Sequence, residues 1–298
     1  MSKVLYYLVL IPLSKLPLGV LYGISDFLYL LLYKILSYRQ KVVRTNLVNS
    51  FPNKTSKEIE IIEKDFYRHF CDLLVESVRM FSISPSEIKA RSVLTNPELF
   101  NQLYEEGRSI VLVGGHYNNW EIGAAILPAQ VKHHIIGIYA PLTNPFFNAK
   151  ILESRSKFGM EMLAKKEVKA GFEKYKNQAS AFIFATDQSP THSKQVHWST
   201  FLNQPTAIHV GAESFARQYG YAVVFMYVTK VKRGYYTMEA KLLEADPANT
   251  REGEITEKHK LWLEKQIEAE PRYWLWTHKR WKRKFKEGDQ MYKGVNSQ

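Results

Sequence analysis

Four short stretches of the chain are apolar at nearly every position: residues 109–114 (SIVLVG), 135–140 (IIGIYA), 181–186 (AFIFAT) and 222–229 (AVVFMYVT). Runs of this length with no polar alternation predict strands buried on both faces. Between them the period changes to that of a helix, over 120–127, 145–158, 168–175 and 208–219. Alternating buried strands and helices predict an α/β fold: a central mixed, partly parallel sheet flanked by helices. Residues 235–242 read as an antiparallel edge strand, and 256–269 as an amphipathic helix stopped by Pro271. Upstream, 55–81 predict one long helix. Ile59, Ile62, Phe66, Phe70, Leu73, Leu74 and Phe81 recur at helical spacing, Thr55 and Glu58 offer a capping box, and Cys71 falls in the core.

The first residues break this pattern. Residues 4–36 are mostly apolar, interrupted by Pro12, Lys15, Pro17 and Asp26. No run of about 18 uncharged apolar residues exists, so the usual test for a spanning helix fails. A cleavable signal peptide does not fit either, because the apolar region is too long and no small-residue site follows it. Two readings stay open: an anchor in or on a membrane, broken near Pro17, or two helices packed on the core. Tyr22, Tyr29, Tyr33 and Tyr38 among leucines favour the anchor, as interface residues do. The expected organisation is a hydrophobic helical segment at 1–44, associated with a membrane, followed by one catalytic domain at 45–298.

Charge sharpens this picture. The 298 residues carry 41 Lys+Arg against 29 Asp+Glu, a net +12. Six of those cations crowd residues 278–286 (HKRWKRKFK) around Trp281 and Phe285. Such a run suits an anionic lipid, a phosphorylated substrate, an acidic protein or nucleic acid, or is a solvated tail. Beside a greasy N-terminus, an anionic membrane surface fits best. One cysteine excludes an internal disulfide and a cysteine-based zinc cluster.

In open α/β sheets chemistry gathers beyond the carboxyl ends of strands. Residues 114–121 (GGHYNNWE) follow the first predicted strand. Two glycines allow a tight turn, His116 lies in it, and Asn118 or Asn119 can cap the next helix. Glu121 falls in that helix's first turn. Folded back, its carboxylate would fix the tautomer of His116 and raise its basicity, making a general base. The chain has no G-x-S-x-G elbow, and its only cysteine sits in a packing helix. A base without a nucleophile of its own suits attack by a bound hydroxyl or by water. Asp187 and Gln188 end another buried strand, where an acid serves either a site or a helix cap, and they are taken as further site candidates. His192 and His197 follow; with Asp187 they imitate a metal site, but the spacing fits no standard motif.

GGHYNNWE resembles the H-x4-D/E block of the lysophospholipid acyltransferase superfamily and, more closely, that of the late acyltransferases of lipid A biosynthesis. The likeness runs over most of the chain. Arg44, Asn46, Leu47 and Ser50-Phe51-Pro52 are similar to that family's N-terminal segment. Pro141 through Arg155 and Gly159 resemble its second block, Asp187-Gln188-Ser189 with Phe201-Leu202-Asn203 its third, and residues 274–282 (WLWTHKRWK) its terminal signature. Asn203 departs from a glycine common in that third block, and the Pro-Glu-Gly of other branches is missing.

The resemblance implies acyl transfer from acyl-carrier protein to a hydroxyl of an anionic lipid A precursor, at the cytoplasmic face of the inner membrane, with no further cofactor and no metal. It implies that His116 deprotonates the acceptor, that Glu121 orients His116, and that no acyl-enzyme forms. Arg155, Asn119, Asp187 and Gln188 would contact substrate, Arg155 serving an oxyanion or a phosphate. The positive charge would steer both the acidic carrier protein and the acceptor. A lipid hydrolase or thioesterase using the same base is the rival reading. A basic nucleic-acid-binding protein is a third, resting on charge alone.

Overall fold

A computed structural model describes residues 1–190, 193 and 195–292. Among the described residues nine strands form: β1 (Ser92–Leu94), β2 (Ile110–Gly114), β3 (His134–Tyr139), β4 (Glu161–Ala164), β5 (Ser180–Ala185), β6 (His197–Phe201), β7 (Gln204–Ile208), β8 (Ala222–Lys232) and β9 (Tyr235–Glu244). Seven make one sheet in the order β1-β9-β8-β2-β5-β3-β4, and β6 pairs with β7 in a separate hairpin. All neighbours in the large sheet run parallel except β8 and β9. The fold is therefore α/β with a mixed, mostly parallel sheet, as the alternation of apolar runs predicts.

The four apolar runs became β2, β3, β5 and β8, which lie in the interior of the sheet. Alternate residues of β2 serve opposite layers. Val111 and Val113 join a core with Phe66, Phe172, Phe182, Trp274 and Trp276. Ile110 and Leu112 join a second core with Ile122, Ile126, Phe100 and Leu103. Both faces are covered by helices, which is why no polar alternation marks these strands. The expected edge position of β9 is corrected: β9 is antiparallel to β8, but the three-residue β1 pairs along its outer side and takes the edge. A segment that short carries no periodic signal.

Helix Ser56–Arg79 has both bonds of the capping box at Thr55 and Glu58. Ile59, Phe66 and Leu73 are buried on it, and so is Cys71. Leu74 is partly exposed, and Phe81 lies past the helix end. The apolar spacing does not reveal a second buried face made of His69, Asp72 and Glu76.

That polar face receives the N-terminal segment. Leu18–Ile35 is one helix of 18 residues with mean hydropathy 1.4, long and apolar enough to cross a membrane by length and composition. This revises the sequence reading: the two charges Asp26 and Lys34 do not interrupt the helix, and the break falls just before it, at Pro17. One side docks through polar contacts. Ser25 Oγ donates to Asp72 Oδ1 at 2.8 Å, Tyr22 OH donates to Glu76 Oε1 at 2.9 Å, and Arg233 bridges Asp26 and Asp72 at 2.6 Å each. The opposite side leaves Val20, Phe27, Leu30 and Ile35 exposed. Three of the four tyrosines pack inside the protein, and Tyr38 is exposed. Tyr22 is bonded to Glu76, and Tyr33 is buried against Tyr67 with Tyr29 stacked on it. Aromatic residues that mark a membrane boundary in one context fill a helix seam in this one.

Candidate functional site

Register brings the site together. β2 and β5 are parallel neighbours with Gly114 opposite Ala185. The residue two positions beyond each strand end therefore lies beside the other, and these residues are His116 and Asp187. The Asp187 carboxylate takes the His116 imidazole Nδ1 at 2.6 Å through Oδ1. Its other oxygen accepts the His116 backbone N–H at 2.8 Å and the Trp274 indole N–H at 2.8 Å. Gly115 makes this approach possible, since a Cβ there would lie 2.7 Å from Leu263 and 3.2 Å from Asp187 Oδ2. Asn118 follows in the left-handed region at φ 51°, tolerated because its side chain donates to the carbonyl of Val228 at 2.8 Å.

The sequence reading gave the orienting role to Glu121, and the geometry corrects it. Asn119 caps helix Trp120–Ile126, which puts Glu121 in the first turn facing helix Pro145–Ser156. There its carboxylate accepts from Arg155 Nη2 at 2.5 Å. Asp187 occupies the place at the imidazole instead. Both Glu121 and Arg155 stay partly open to solvent, and their charges still act on His116.

Asn119 is also displaced from its expected role. Its Oδ1 accepts the Ile122 N–H at 3.0 Å and its Nδ2 donates to Glu76 at 2.6 Å, so both ends of a buried amide are used structurally. Gln188 does reach the site. Its side-chain nitrogen lies 3.1 Å from His116 Nε2. With Nδ1–H donating to Asp187, Nε2 carries the lone pair and accepts from Gln188. The Trp120 ring packs edge-on against the imidazole, centroids 4.9 Å apart.

The charges follow from these partners. Burial opposes charging of His116, but the Asp187 carboxylate outweighs it and holds the imidazole above its ordinary value. Burial alone would raise Asp187; the imidazole, the His116 backbone N–H and the Trp274 indole overcome it and hold the carboxyl far below the usual carboxylate range. Three nearby histidines go the other way. Burial pushes His209 and His259 down to about 4, and it lowers His278. Among these four, only in His116 does the pull of an acid outweigh burial.

Beside the turn lies a cavity of about 90 Å³, lined by Gly115, Trp120, Ala124, Leu127, Ile183 and Met226 among others. It runs between helix Trp120–Ile126 and the sheet. Its walls are mostly aliphatic, with Trp120 and Phe184 as the aromatic members. Among the described residues, no group of three His, Cys, Asp or Glu could hold a metal ion. His192 of the metal-like trio lies outside the described residues, and His197 is bonded to Glu257 at 2.6 Å.

The basic terminal run is not a solvated tail. Trp274, Trp276, Arg280 and Trp281 are buried, Arg283 donates to the carbonyls of Pro190 and Ser193, and Lys279, Lys282, Lys284 and Lys286 stay exposed. Spacing alone could not show this, because buried and exposed residues are interleaved.

Residues 1–283 match the family model described as bacterial lipid A biosynthesis acyltransferase. The chain is 26% identical over 273 residues to the lipid A biosynthesis lauroyltransferase of Escherichia coli (strain K12), covering 90% of this chain and 87% of that protein. It is 23% identical over 251 residues to the lipid A biosynthesis acyltransferase of Haemophilus influenzae (strain ATCC 51907 / DSM 11121 / KW20 / Rd), covering 84% and 79%. The E. coli (strain K12) lipid A biosynthesis palmitoleoyltransferase is 22% identical over 251 residues, covering 83% and 80%. With a match over nearly its whole length, the chain belongs to the bacterial lipid A biosynthesis acyltransferase family and is an O-acyltransferase.

Proposed function

We propose that the protein moves a fatty acyl chain from acyl-carrier protein to a hydroxyl of a lipid A precursor, with His116 as general base. The observation that carries this reading is the imidazole itself: oriented by a buried carboxylate, it lies next to an apolar cavity at a strand end. The acceptor hydroxyl replaces the Gln188 amide at Nε2 and gives up its proton there. Its oxygen attacks the thioester carbonyl, the C–S bond breaks, and His116 returns the proton to the leaving thiolate. Asp187 keeps the proton of Nδ1 in place throughout. Arg155, held by Glu121 and close enough for its charge to act on His116, serves the oxyanion or an acceptor phosphate. No nucleophilic side chain is needed, so no acyl-enzyme forms.

The apolar exposed side of Leu18–Ile35 and the exposed lysines of the terminal run suit an anionic membrane surface. A lipid A precursor and a soluble carrier protein meet at the cytoplasmic face of the inner membrane, where we place the enzyme. Purified protein with acyl-carrier-protein thioester should add one acyl chain to a lipid A precursor, read by mass spectrometry. Free fatty acid released equally with and without acceptor would make it a hydrolase instead.

The cavity is the natural slot for the acyl chain. Ala124→Leu fills part of it while staying apolar, so the folded enzyme should lose transfer of its longest accepted chains and keep shorter ones. Competition between thioesters of graded length, with the products weighed, measures the shift. An unchanged length profile would remove the cavity from the acyl path.

A further inference from the structure

The terminal run of residues 273–281 is left without a task by the mechanism above, yet it wraps the catalytic turn. The Asn118 N–H donates to the Tyr273 carbonyl at 2.9 Å, the Leu275 N–H donates to the His116 carbonyl at 3.1 Å, and Tyr117 bridges to Trp274. His278 Nε2 accepts the N–H of Ser189, two residues beyond Asp187. The Trp274 side chain goes furthest. It is 2% exposed, lies edge-on to Trp276 and Trp281, and directs its only polar atom at Asp187 Oδ2.

We infer that Trp274 is a positioning residue for the reaction, acting through Asp187. This rests on the reading of His116 as the base. A carboxylate has two oxygens and can rotate. The Trp274 and His116 backbone donors converge on Oδ2 and stop that rotation, which leaves Oδ1 facing Nδ1. The indole N–H also draws charge away from the carboxylate and so limits how strongly Asp187 holds a proton on the imidazole. The other charged or titratable groups around the pair are Glu121, Arg155, His209, His259, His278 and Arg280. The Trp274 substitution changes none of them.

Trp274→Phe keeps the ring and deletes the N–H. Its kcat should fall about tenfold at unchanged acceptor KM. The acid limb of kcat/KM should move to higher pH by about half a unit to one unit, because an unbonded carboxylate favours imidazolium. Trp276→Phe, which deletes an indole bond to the Pro271 carbonyl in the same aromatic cluster, should leave that midpoint in place. In an Asp187→Asn background, Trp274→Phe should add little further loss. If Trp274→Phe does not fold, benzothienylalanine at 274, with sulfur in place of N–H, makes the same test. A midpoint unmoved by loss of the N–H, with any fall in rate matched by Trp276→Phe, overturns the inference. Full activity in His116→Ala would overturn the underlying reading instead, so the two failures are distinguishable.

Discussion

His116→Ala should cut acyl transfer by a factor on the order of 10²–10⁴, the usual contribution of a positioned general base. The loss should appear in kcat, with acceptor KM within a few fold, because the imidazole contributes little uniform binding. The fold should survive. His116 sits in a turn at the end of β2, and the backbone bonds from its N–H to Asp187 and from its carbonyl to Leu275 do not depend on the ring. Asp187 loses a partner and becomes easier to protonate, which a small drop in Tm should register. Measured on purified protein by single-turnover transfer, a variant within tenfold of wild type would leave the reaction without its base. The same assignment fixes the pH dependence. Only neutral imidazole accepts a proton, and Asp187 holds His116 above the ordinary imidazole value. The rate should therefore climb with pH through a midpoint above about 6.5.

Asp187→Asn should be nearly as damaging, for a reason the geometry dictates. Two donors, the His116 backbone N–H and the Trp274 indole, converge on one oxygen. An asparagine must present its carbonyl oxygen to them. Its NH₂ then faces His116 Nδ1, which is forced to accept. The imidazole shifts to the Nε2–H tautomer and offers no lone pair to the acceptor. We expect kcat to fall on the order of 10²–10⁴, with the backbone barely moved. Stability should change in a pH-dependent way. The depressed Asp187 stabilises the fold fully above the unfolded carboxyl value, and this is lost progressively as pH falls from about 4 toward its much lower folded value. The raised His116 stabilises below the unfolded imidazole value near 6.5, and this is lost as pH rises through its higher folded value. The Tm gap between wild type and Asp187→Asn should be widest between roughly pH 4 and 6.5 and narrow on either side. A gap independent of pH would show that the pair is not ionised.

Much of this was legible in the residues. Strands buried on both faces need uninterrupted apolar runs, and β2, β3, β5 and β8 have them. The double glycine before His116 announced a tight turn at a strand end, and Asp187 stood out as an acid closing another strand. The sequence did not show that these two ends meet. His116 and Glu121 are near in sequence, so local spacing favours them, whereas parallel register joins residues 71 positions apart. Comparing strand ends, each two residues past its last apolar position, was the signal that would have paired them. The short β1 and β4 lack a sustained period and form on the open edges that β9 and β3 offer, and the equally short β6 and β7 pair with each other as a separate hairpin. The burial of Arg280 inside the basic run at 278–286 was hidden for a related reason, since charge density describes a sequence and says nothing of which arginine is swallowed.

The polar seam under the N-terminal helix sets a condition on any replacement of that helix. Ser25 and Tyr22 meet Asp72 and Glu76, and Glu76 in turn grips Asn119, the residue that starts the helix behind His116. An unrelated hydrophobic helix of the same length would restore the apolar outer side and nothing else. It would take one hydroxyl partner from each of two buried acids and loosen the footing of the reactive loop. The segment is a keyed part with one fitting orientation, and a graft would have to carry its hydroxyls to work.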